Sequence, residues 1–159
     1  MNLRGFTLIE ILITLAIISL ISVVVVPNFL QSVAYKDLSA AADRVLAVLR
    51  DAQSRSLAAE NQKVWGVKFD GNNKNFIMST YVTGLFEAPV AFISLKNNLE
   101  FRNPNDPTAP MGGTQQVVFN SLTGEPTPKN TVTISIGLTN EPSNYKTITV
   151  YANGSIEIQ

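Results

Sequence analysis

The chain has 159 residues, a formal net charge of zero from 12 basic and 12 acidic side chains, and neither histidine nor cysteine. That excludes zinc, iron and copper sites built on imidazole or thiolate, thiol nucleophiles, Ser-His-Asp triads and disulfides, so packing alone must stabilise the fold. The charge balance gives no bulk attraction to nucleic acid, and a pI near 6.2 lies well below the basic range of a dedicated DNA-binding domain.

A short basic head, Met1 to Gly5, runs into an apolar stretch from Phe6 to Val26. The stretch is broken only by small hydroxyl residues and Glu10, and it has about the 20-residue length of a helix that crosses a bilayer. Lipid forces such a segment to be helical, because its backbone groups find no other partners. A carboxylate at mid-membrane costs about 2.5–3.5 kcal/mol, and less near an end, so Glu10 calls for a compensating partner. The pattern is not that of a cleaved secretory signal. The small residue Gly5 precedes the apolar core, and no small-residue cleavage site follows Val26.

Arg4-Gly5-Phe6-Thr7-Leu8-Ile9-Glu10 resembles the class III leader of type IV pilins and type II secretion pseudopilins. The resemblance implies that a prepilin peptidase cuts between Gly5 and Phe6 on the cytoplasmic side and that Phe6 is then N-methylated. It implies further that the apolar helix is retained, first as a single-pass anchor in the inner membrane and later as the core of a fibre. Under the same resemblance, Glu10 pairs with the freed α-amino group of Phe6 on a neighbouring subunit. Such a charge pair in low dielectric would fix axial register during assembly. The plain alternative is that Glu10, one turn into the mature chain, sits at headgroup depth. Arg4 suits the positive-inside bias as well as the peptidase motif, and Thr7 reads equally as a helix N-cap or as a tolerated small residue.

Val23 to Val26 is a β-branched run of weak helix formers, and Pro27 removes one intrahelical hydrogen bond, so a kink is expected there. Pro27 does not end the helix in this reading, because helical periodicity resumes at once. Leu30, Val33, Ala34, Leu38, Ala41, Ala42, Val45, Leu46, Leu49, Ala52 and Leu57 recur every three or four residues, with Lys36, Asp37, Asp43, Arg44, Arg50, Asp51 and Arg55 on the other side. The helix is expected to run to about Ala59.

After Glu60 the pattern changes to strands: Val64–Phe69, Asn75–Val82, Val90–Leu95, Gln116–Asn120, Thr131–Leu138, Lys146–Ala152 and Ser155–Gln159. Asp70-Gly71-Asn72-Asn73 reads as a turn rather than a calcium loop, since no bidentate glutamate follows and Lys74 intrudes. Asn153-Gly154 predicts a type I′ hairpin, with Ile148, Val150, Ile156 and Ile158 on its inward face. Trp65 and Phe69 are expected in the core, the alternative being an exposed Trp65 that anchors an interface. The Pro- and Gly-rich stretches at Asn103–Gly113 and Thr123–Asn130 are expected to be long loops.

The fold class that follows is α+β. A long kinked N-terminal helix, its first half transmembrane, packs by its second half on an antiparallel β-sheet domain. The expected divisions are a leader at 1–5, a membrane and assembly helix at 6–29, an amphipathic helix at 30–60 and a β-sheet head at 61–159. AADRVLAVLRDAQSRSLAAENQ followed by VWGVKF, together with VVFNSLTGEP, TVTISIG and YKTITVYANGSIEI, is similar to the GspH/FimT-like minor pseudopilins. That resemblance implies a minor subunit that initiates or tips a fibre, with other pilins, the prepilin peptidase and an inner-membrane assembly platform as partners, and no cofactor. The fibre would be a periplasmic pseudopilus or an extracellular pilus. One alternative is a major pilin forming the bulk of the fibre. Another is a DNA-binding subunit at a pilus tip, for which Lys129, Lys146 and Tyr145 are the candidate contacts. The low charge density argues against that last reading. No nucleophile–base pair suggests an enzyme.

Overall fold

A computed structural model describes residues 6–60 and 63–159, with the side chains of residues 23–28 outside the description. The leader with Gly5 therefore lies outside the described residues, whereas the helical backbone runs on through Pro27, as the resumed periodicity required. The chain forms two compact units, residues 1–36 and 37–159, and one helix, α1 (Leu8–Leu57), contributes to both.

Thr7 caps α1. Its hydroxyl oxygen accepts the Glu10 N–H at 3.3 Å, and its carbonyl accepts from Glu10 and Ile11 at 3.1 and 3.3 Å. With glutamate at the third helical position this is the Thr-x-x-Glu spacing of a capping box. In the second unit, Leu38, Ala42, Val45, Leu49, Ala52 and Ser56 are buried at steps of four and three, the stripe expected of a helix with one face on a core. Asp43, Arg44, Arg50 and Asp51 stay exposed on the other side. The helix stops at Leu57, two residues short of the expected Ala59, because Ala59 adopts a left-handed φ of 47°.

Two antiparallel sheets follow. The first has the order β3 (Leu85–Phe86), β2 (Asn75–Val82), β1 (Val64–Asp70), β7 (Thr114–Phe119), β8 (Pro126–Thr127), with β4 (Ala91–Ser94) also paired to β2. The second has the order β11 (Ile156–Ile158), β10 (Glu141–Val150), β9 (Val132–Leu138), β5 (Leu99–Asn103), β6 (Asp106–Pro110). Their inner faces meet in an aromatic cluster. Phe101 of β5 lies 5.5 Å from Phe69 and 6.1 Å from Phe76, ring centre to ring centre, in edge-on geometry. Trp65, Val67, Phe69, Ile134, Ile136, Ile148 and Val150 complete a closed core, so Trp65 and Phe69 sit where the sequence placed them. Gln115 ties the sheets together by donating to Thr133 O at 2.9 Å.

The structure corrects several expectations. The loop expected at 103–113 contains β6, and β5 before it was not expected as a strand. β6 carries Pro107 and Pro110, which are tolerated because it is an edge strand paired only to β5. β8 interrupts the loop expected at 123–130. The closing hairpin is not a two-residue type I′ turn. Its loop spans Tyr151 to Ser155, with Gly154 N donating to Tyr151 O and Tyr151 N to Ser155 O, both at 2.9 Å. Gly154 alone in this loop takes positive φ, 86°, as in a turn followed by a left-handed glycine. Ile148, Val150 and Ile156 face inward as expected, and Ile158 is half-buried. The turn at 70–73 is held by Asp70, whose carboxylate accepts the Asn73 side-chain N–H at 2.7 Å and its backbone N–H at 3.0 Å. Those bonds hold the Asp70 carboxyl below its ordinary value.

Candidate assembly surface

The first unit presents apolar side chains that nothing in it buries. Leu8 is 77 % exposed and Leu15 58 %, and Ile9, Leu12, Ile18 and Ile21 are likewise open. Two of its hydroxyls turn inward on their own backbone. Thr14 donates to Ile11 O at 2.9 Å and Ser22 to Ile18 O at 2.8 Å. A hydroxyl satisfied by the preceding turn needs no water or partner, so these residues do not spoil an apolar environment. Glu10 is the one carboxylate of this surface between Phe6 and Ser22, and it forms no ion pair among the described residues. Among the described residues no helix is long and apolar enough to cross a membrane. The stretch expected to do so, 6–29, includes residues 23–28, whose side chains lie outside the description.

The head offers a different surface. Lys129 lies in the loop after β8, where its ammonium is 2.7 Å from Glu125 Oε1 and pulls that carboxyl below its ordinary value. Tyr145 and Lys146 are neighbours on β10. Lys146 is paired with Ile136 and Tyr145 with Gly137, so they face opposite sides of the sheet. Lys129 precedes the other end of β9, at Val132, so the fold does not gather the three into one patch.

Two residues with structural work were missed in the sequence. Gln53, on the flank of the buried stripe, donates to Gly124 O at 2.8 Å and to Gly154 O at 2.7 Å, tying α1 to two loops of the head. Arg102 is only 2 % exposed. It spans Glu100 Oε1 at 3.1 Å, Thr108 O at 3.1 Å and the Leu138 carbonyl. It also lies across Gly137, where a Cβ would come within 2.5 Å of its Nε. The signal was present: Glu100 and Arg102, two apart, share one face of a strand.

Residues 1–26 match the family described as the prokaryotic N-terminal methylation motif. The fold is similar to that of the type IV minor pilin FimU of Pseudomonas aeruginosa, with a TM-score of 0.62 and 15 % identity over 78 % of this chain and 89 % of that one. The chain carries the methylation motif at its start and shares the fold of that minor pilin. It is also similar in fold to the minor pseudopilin EpsH of the Vibrio cholerae type 2 secretion system, with a TM-score of 0.58 and 16 % identity over 77 % and 96 % of the two chains. No curated protein sequence matches it. The motif and the open apolar surface coincide over residues 6–22.

Proposed function

We propose that this chain is a structural subunit of a type IV pilus or type II secretion pseudopilus, acting as a minor subunit that initiates or tips the fibre rather than as an enzyme. One observation carries the reading: the methylation motif falls on a helix whose apolar side chains have no cover within the unit that contains them. Lipid, and then the helices of other subunits, would supply that cover. In this reading a prepilin peptidase removes Met1–Gly5 and Phe6 becomes the methylated N-terminus. The helix holds the chain in the inner membrane with the head outside the cytoplasm. An assembly platform then exchanges lipid contacts for helix–helix contacts.

Glu10 becomes the register device, its carboxylate meeting the α-amino group of a neighbouring Phe6. Its place in the first turn of α1, beside Phe6, supports that role. Pro27, after four β-branched residues, is the point at which the helix bends or loosens on incorporation. The likeness of fold to two minor subunits, FimU and EpsH, supports the minor assignment.

Intact-mass spectrometry on sheared surface fibres and on residual membranes tests the reading. A chain beginning at methylated Phe6, scarce in fibres and concentrated in membranes, is the expected result. High abundance in fibres would make it a major subunit. Retention of Met1–Gly5 in both fractions, with the peptidase present, would overturn the reading.

A further inference from the structure

The edges of the two sheets are not equally guarded. β6 carries Pro107 and Pro110, β8 begins at Pro126, β11 is three residues long with Glu157 in its middle, and β3 has two residues. Prolines, charges and short length are the usual devices that stop a sheet from pairing outward. β4, Ala91-Phe92-Ile93-Ser94, has no proline and no charge, and it pairs with β2 alone.

The Leu95 N–H reaches Lys74 O of the preceding turn at 2.8 Å, which fixes the alternation along β4. The backbone groups of Ile93 therefore point toward β2, while those of Phe92 and Ser94 point away and meet no strand. Side chains alternate as well. Phe92 stands opposite Ile77 on the outer face and remains 62 % exposed, whereas Ile93 stands opposite Phe76 on the inner face. Beside Ile93 a groove of about 160 Å³ separates β4 from α1, with Ala40 and Ala41 on the helix wall. Asp37 and Lys96 close one rim as an ion pair at 2.5 Å. Arg44 on the helix wall forms no ion pair among the described residues, so the groove carries one unbalanced positive charge.

We infer that β4 accepts an extended segment of another protein as an added strand, with an apolar residue in the groove and a carboxylate two positions along that reaches Arg44. Strand addition takes affinity from the open backbone groups and specificity from pockets that read alternate side chains. Both are present. The groove matches the roughly 150 Å³ that holds a benzene-sized group, and Ala40 and Ala41 keep it open on the helix side. The intervening side chain of the added strand would cover Phe92. The inference rests on the head alone and stands apart from the role of the N-terminal helix.

The test is fluorescence anisotropy of the labelled peptide TLVETVT with the full-length chain in detergent micelles. Its leucine and glutamate share one face and its first valine takes the other. Saturable binding is expected. TLVKTVT should bind about five-fold more weakly, the ratio that corresponds to roughly 1 kcal/mol for an exposed pair. Arg44→Glu should reverse that preference. Ser94→Pro removes an outward N–H and leaves the ladder to β2 intact, so it should abolish binding without changing the melting of the head. Hydrogen exchange should show the Phe92 and Ser94 amides protected only when TLVETVT is present. Absence of saturable binding, equal affinity for both peptides, or an Arg44→Glu chain with unchanged preference would each overturn the inference. Concentration-dependent protection of those amides without peptide would assign the edge to a second copy of this chain, and would overturn it too.

Discussion

One helix does two different jobs along its length. Between Leu38 and Ser56 its apolar side chains recur on one face and are buried, while charges occupy the other. Between Leu8 and Ser22 nearly every residue is apolar, all round the helix, and all are exposed. The first pattern is a helix that finds its partner in its own chain. The second is a helix that must find its partner elsewhere, in lipid or in other helices. The same residue types therefore build a core in one region and remain uncovered in the other.

The sharpest way to break this comparison is to cut the core of the head. Phe101→Ala removes the ring on which Phe69 and Phe76 converge and should cost about 3–5 kcal/mol of head stability, read as a fall in the urea midpoint. Membrane retention of the chain should survive that loss. If the variant leaves the membrane fraction while still present as intact chain, the two regions are not separable in this way. A matched pair within α1 sharpens the point. Leu49→Ala, at a fully buried site, should cost about 2–5 kcal/mol, whereas Leu15→Ala should leave unfolding of the head within about 0.5 kcal/mol. Leu15→Ala should instead lower the share of the chain recovered in sheared fibres. Gln53→Ala comes next in size. It strips one donor from two loop carbonyls and should cost roughly 1–2 kcal/mol, with faster amide exchange in the Gly124 and Gly154 loops.

Legibility followed the same division. The apolar run, the motif residues Gly5, Phe6 and Glu10, and the stripe from Leu38 to Ala52 were readable because composition and period are local properties. β1, β2 and the closing hairpin were readable for the same reason. β5 was not, because Leu-Glu-Phe-Arg-Asn looks like a surface segment until Arg102 is seen folded over Gly137 and bonded to the Leu138 carbonyl. β6 was not, because Asp-Pro-Thr-Ala-Pro is turn chemistry everywhere except at a sheet edge. The groove beside β4 was invisible for a stronger reason. Its walls come from residues about fifty positions apart, and Arg44 reads in sequence as one more charge on a solvated helix face.

The smallest effect is electrostatic and concerns the rim of the head. The Lys63 ammonium, 2.5 Å from the Glu87 carboxylate, and the Thr80 hydroxyl together hold that carboxyl below its ordinary value. A carboxyl whose pKa is depressed by folding contributes stability that is present above its unfolded value, about 4, and is lost as pH falls through the folded value. Lys63→Met should therefore lower the urea midpoint slightly at neutral pH, and the difference from the parent chain should vanish as the solution is acidified. Added salt should shrink it as well, because both partners are exposed to solvent. A difference that persisted in acid would mean that Lys63 acts through the packing of its aliphatic stem rather than through charge. The head would then be held by buried contacts even at this part of its rim.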